Sequence, residues 1–160
     1  MIYLVRHAEK IDDSRDAALS EAGLRRADAL AEALANAAIT AVYATQFQRT
    51  QRTAAPLAGR AGVATILEAA GGDAAAHARA VAEAIRTRHA GARILVVGHS
   101  NTVPRIVRAL GGAAPEKLGD NEYDSLFIVT IPGRAGGAVT TVRARYGEPN
   151  AVPGVQPNRM

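Results

Sequence analysis

The 160-residue chain contains no cysteine. Thiol nucleophiles, thiolate metal sites and redox switching are therefore excluded, while the compartment stays open, because such a chain folds equally well in reducing or oxidising surroundings. Aromatic residues are scarce, four tyrosines and two phenylalanines, and no Lys/Arg tract accompanies them. Single-strand nucleic-acid binders need both, so no nucleic-acid partner is expected. No apolar stretch approaches the roughly 20 residues a membrane helix requires, and no membrane partner is expected. Met1 opens almost directly onto a strand without a basic n-region or cleavage site, which makes the cytoplasm the expected compartment. The formal charge of +4 suits an anionic ligand but also follows from arginines scattered over helix faces.

What is present is order. Short apolar runs alternate with longer Ala/Leu-rich segments of helical period, the pattern of a βαβ chain, and predict an α/β fold with a mainly parallel sheet. Strands are expected over Ile2 to Arg6, Ile39 to Tyr43, Ala64 to Leu67 and Arg93 to Val97. A final hairpin is expected over Leu126 to Ile131 and Val139 to Arg145. Ser20 is placed to cap a helix through about Ala35, with Leu24, Ala27, Ala31 and Leu34 on its inner face, and Asp73 to cap another through about Arg88. Gln46 to Ala58 reads as a helix interrupted near Pro56, and Asn101 to Leu110 as a further one. The length fits one domain, residues 1–146, followed by an irregular tail, 147–160, holding Pro149, Pro153 and Pro157.

Two of the apolar runs end alike, as Leu4-Val5-Arg6-His7 and as Val96-Val97-Gly98-His99. Ligands of open α/β sheets sit outside the carboxyl ends of parallel strands, so His7 and His99 are expected in one crevice. A neutral imidazole is a competent nucleophile when one ring nitrogen is held by an acceptor and the other is bare. An arginine beside it binds an oxyanion and stabilises charge on a phosphoryl group in transfer. The residues thus point to phosphoryl transfer through a phosphohistidine. A metal site is not expected: the four histidines show no H-x-H or H-x-x-x-H pair, no cysteine supports them, and Arg6 would repel a cation. His77, at helical spacing from Val81 and Ile85, reads as a half-buried helix residue, and His89 as a last-turn residue suited to the helix dipole.

Leu4 to Lys10, Tyr43 to Ala54 and Val96 to Thr102, in that order, resemble the motifs of the histidine phosphatase superfamily, also called phosphoglycerate mutase-like. Leu19-Ser20-x-x-Gly23 is similar to the segment after that family's nucleophile. The resemblance covers roughly residues 1–131 and implies a three-layer α/β/α sandwich. It implies His7 as nucleophile, Arg6 and Arg49 as phosphate clamps, and His99 as a donor from the far side. The chain departs from the family in Ala8, where glycine is common, in Arg52, where glutamine is frequent, and in Ala44-Thr45, where Ser-Ser is frequent. It also lacks the acidic segment and the long covering insertion of many members.

An alkoxide leaving group needs an acid. Glu68, at a strand end, is the first candidate and Glu9 the second, with Glu122 or Asp124 third. The sequence therefore predicts a compact phosphatase that uses no metal and no cofactor and acts on a phosphorylated small molecule or a phosphoprotein. Hydrolysis is favoured over mutase chemistry, because a mutase must keep water from its phosphoenzyme. A protein phosphohistidine phosphatase is the alternative within this chemistry. A non-catalytic phospho-ligand binding module is the rival of another class, and retention of His7 speaks against it.

Overall fold

The computed structural model describes residues 1–150. The chain forms β1 (Ile2–Arg6), α1 (Glu21–Ala33), β2 (Ala41–Ala44), α2 (Gln48–Ala61), β3 (Thr65–Leu67), α3 (Ala74–Arg88), β4 (Ile94–Gly98), α4 (Val103–Ala109), β5 (Ser125–Thr130) and β6 (Thr140–Arg145). The six strands make one sheet in the order β3-β2-β4-β1-β5-β6. The first four run parallel, while β5 lies antiparallel to β1 and is joined to β6 as the expected hairpin.

Strand side chains alternate between the two faces, and both faces are covered, which is why the parallel strands read as unbroken apolar runs. Ile2, Leu4, Ile94 and Val96 pack with Val81 and Ile85 of α3 and Ile106 and Val107 of α4. Tyr3, Val5, Leu95 and Val97 pack with Leu30 and Ala31 of α1 and Ala54 and Leu57 of α2. The result is a three-layer α/β/α sandwich. No helix among the described residues is long and apolar enough to cross a membrane.

Two local expectations need correction. Helix α2 continues through Pro56 to Ala61 and stops at Gly62, whose left-handed φ of 68° lets its N–H turn back to Ala58 and Gly59. The carbonyl that Pro56 leaves unpaired belongs to Arg52, on the exposed face where water can serve it. Leu24 is 47% exposed, and Leu30 takes the inward place assigned to it. In the described part of the tail, which holds no helix or strand, Asn150 Oδ1 accepts from the N–H groups of Tyr123 (2.7 Å) and Asp124 (3.1 Å). Pro153 and Pro157 lie outside the described residues.

Candidate active site

The parallel pairing of β1 with β4 sets Arg6 opposite Gly98 and brings the two histidine-bearing strand ends side by side. His7 N–H continues the ladder to the Gly98 carbonyl at 2.8 Å, and the Ala8 N–H donates to Thr53 Oγ1 at 2.9 Å. Ala8 is fully buried against Leu19 and Ala27. Its φ is not positive, so the methyl group in place of a hydrogen strains nothing. Behind it Ser20 caps α1, accepting from Gly23 N–H, and a Cβ at Gly23 would stand 2.2 Å from the Glu9 carbonyl oxygen. Glycine there lets α1 approach the chain that leaves β1.

The ring of His7 is almost wholly buried, with its Nδ1 2.8 Å from the Ala8 carbonyl. A carbonyl only accepts, so Nδ1 carries the proton and the neutral ring has a bare Nε2. Burial, reinforced by Arg6, His99 and Arg49 against the opposing Ala8 bond, lowers the His7 pKa to about 3. His99 lies with its ring centroid 5.4 Å away and its Nε2 3.1 Å from Thr45 Oγ1. Burial first, then Arg49, His77 and Arg6, lowers its pKa to about 3 as well. Both rings are therefore neutral at neutral pH.

Two arginines face the histidines. Arg6 Nη1 donates to the carbonyls of Gly119, Asp120 and Glu122, and its guanidinium lies 4.1 Å over the ring of Tyr123. Arg49 Nη1 donates to the Arg15 carbonyl at 3.0 Å, and its guanidinium lies 4.4 Å over Phe47. The start of α2 is held by Asp16, whose Oδ1 accepts from Gln48 N–H at 2.8 Å. Each arginine is thus fixed from behind. Each also keeps a buried Nε without a partner among the described residues. Buried donors of this kind are rarely left unmet, and two cations without a contacting carboxylate favour an anion between them.

Arg6, His7, Arg49 and His99 all line one open cleft of about 690 Å³, with Lys10 and Lys117 also on its wall. The four residues are brought together. The candidate acids are not. Glu68 borders a separate small hollow beside Tyr43, Thr45 and His77, because its N–H extends the β2–β3 pairing to the Ala44 carbonyl. Glu9 is bound by Arg26, Nε to both carboxylate oxygens and Nη2 to Oε1 at 2.7 Å. Glu122 is engaged by Gly119, Ser125 and Arg143, and Asp124 by Arg145 and Asn150. No carboxylate among the described residues lines the cleft. His77 is buried, its Nδ1 3.1 Å from the Ala69 carbonyl. Thr45 and Tyr123 escaped the sequence reading. Thr45 could have been found as the hydroxyl retained in the second motif, whereas nothing local distinguishes Tyr123.

The family described as "Histidine phosphatase superfamily (branch 1)" matches residues 2–71, a span that includes Arg6, His7 and Arg49. No curated protein matches the chain. Among solved structures, a protein histidine phosphatase SixA complexed with tungstate aligns at 19% identity and TM-score 0.67, covering 90% of this chain and 96% of that one. A mycobacterial glucosyl-3-phosphoglycerate phosphatase aligns at 18% identity and TM-score 0.66, covering 91% and 97%. YhfR of Bacillus stearothermophilus aligns at 19% identity and TM-score 0.67, covering 86% and 93%. At these identities the likeness is one of fold.

Proposed function

Because the chain belongs to the histidine phosphatase superfamily, branch 1, we propose that it is a metal-independent phosphatase working through a phosphohistidine at His7. The observation that carries this reading is the neutral, Nδ1-protonated His7 facing two guanidinium groups with unmet N–H donors. The phosphoryl oxygens bind between Arg6 and Arg49, with His99 donating from the far side. The lone pair on His7 Nε2 forms a bond to phosphorus while the bond to the leaving group breaks, and the leaving group keeps the electron pair of the broken bond and takes a proton from water in the open cleft. Water then attacks phosphorus, the N–P bond returns its pair to Nε2, and inorganic phosphate departs. Two guanidiniums supply the positive charge that a metal would and repel a cation.

The absence of a carboxylate from the cleft wall favours one substrate type within this chemistry. The imidazole of a phosphohistidine leaves more readily than an alkoxide, so a protein phosphohistidine is a suitable substrate for an open cleft with no acid of its own. A non-catalytic binding module would have no use for a histidine held in its nucleophilic tautomer.

The test is to trap acid-labile, base-stable phosphate on the wild-type chain during turnover of an aryl phosphate in EDTA, and to map it. Label on His7 supports the reading. Label elsewhere, or activity abolished by chelation and restored by a divalent ion, refutes it.

A further inference from the structure

The loop that grips Arg6 is itself closed by a carboxylate. Three carbonyls converge on Arg6 Nη1, from Gly119 at 3.0 Å, Asp120 at 2.8 Å and Glu122 at 3.1 Å. With Tyr123 under the guanidinium they fix both its position and its plane, which leaves Nε turned away from every described acceptor. Such convergence requires the main chain to fold back on itself over 119–122. The Glu122 N–H donates to the Gly119 carbonyl at 3.0 Å, and Glu122 Oε2 accepts from the Gly119 N–H at 3.1 Å. The other carboxylate oxygen accepts from Ser125 and Arg143. Burial would raise the Glu122 pKa, but the bonds from Ser125 and Gly119 and the Arg143 charge outweigh it and hold the carboxyl below its ordinary value. Glu122 does not line the cleft.

We propose that Glu122 is a positioning residue, which closes the 119–122 turn so that three main-chain carbonyls aim the Arg6 guanidinium at the bound phosphate. The proposal rests on the phosphate site put forward above. It differs from a plain ion pair in a testable way. Bridging to Arg143 needs the negative charge, whereas closing the turn needs only an acceptor oxygen for the Gly119 N–H.

Glu122→Gln keeps such an oxygen and drops the charge, while Glu122→Ala drops both. The measurements are the vanadate inhibition constant, KM and kcat on an aryl phosphate, and the melting temperature of each variant. Both variants melt below the wild type. Glu122→Ala is expected to weaken vanadate inhibition by about tenfold or more, the range for an oriented hydrogen bond to a charged group, while Glu122→Gln stays within about threefold of wild type. Equal weakening in both variants, or none in either, overturns the proposal. If Glu122→Ala does not fold, Gly119→Pro takes its place, since it removes the donated N–H and keeps the charge. Vanadate inhibition unchanged in Gly119→Pro overturns the proposal too. A wild-type protein that vanadate does not inhibit overturns the phosphate site itself and this proposal with it, so the two failures are told apart by the wild-type control.

Discussion

Acidification from about pH 7.5 to about pH 5 should cost this protein stability through the two site histidines. Their folded pKa values of about 3 lie below the ordinary 6.5. Above pH 6.5 neither the folded nor the unfolded state protonates them, and they contribute no pH dependence. Between 6.5 and 3 the unfolded chain takes up protons that the folded site refuses, so stability falls as pH falls and levels off below 3. Linkage puts the loss at about 2 kcal/mol per histidine by pH 5, about 4 kcal/mol for the pair. The figure barely depends on the folded value, since a site that protonates near 4 instead of 3 gives almost the same loss at pH 5. Against a total stability of about 5–15 kcal/mol the effect is large. The assay is urea unfolding of wild type, His7→Gln, His99→Gln and the double variant at both pH values. Every other titrating group cancels in the comparison, and the double variant should lose about 4 kcal/mol less than wild type. Parallel losses in wild type and double variant would show that the histidines are not held neutral.

Three further outcomes follow from the geometry. His7→Ala should abolish turnover yet leave phosphate binding partly intact, whereas Arg49→Ala should weaken both, as inhibition by inorganic phosphate will report. Glu68→Gln should leave alkyl and nitrophenyl phosphate hydrolysis within about threefold of wild type. A loss of roughly 10²–10⁴-fold confined to the alkyl ester would make Glu68 the acid after all. Gly23→Ala should destabilise by about 1–3 kcal/mol in chemical denaturation, because its methyl group would meet the Glu9 carbonyl. An unchanged midpoint would mean that α1 can shift without cost.

Arg6, His7 and His99 were legible because they stand where apolar strands end, whereas Arg49, inside α2, was found only through the family resemblance. Ile2 to Arg6 and Ile94 to Gly98 announce themselves by apolar continuity, and the parallel topology then carries His7 to His99. The carboxylates were not legible for the opposite reason. Whether Glu9 is free depends on Arg26, and whether Glu122 is free depends on Arg143, partners supplied by helix packing and by the hairpin register. The grip on Arg6 was hidden more deeply, since main-chain carbonyls at 119, 120 and 122 carry no residue signature. The extent of α2 was misjudged because Pro56 sits inside the helix with the Arg52 carbonyl it leaves unpaired on the exposed face, where water replaces the missing bond.

The place of β1 in the sheet has a bearing on how the molecule is made. Its neighbours are β4 and β5, and the strand next to it in sequence, β2, lies on the far side of β4. Strand β1 therefore finds no partner among the first 71 residues. During synthesis it waits as an unpaired apolar edge until residues 94–98 have left the ribosome. Pairing over so long a loop gives the domain a high contact order, so folding should be slow and dominated by the arrival of β4. A fragment ending after β3 should collapse or aggregate instead of forming half a site. The cleft that joins His7 to His99 therefore forms late, when β4 enters between β2 and β1, two strands that are never adjacent.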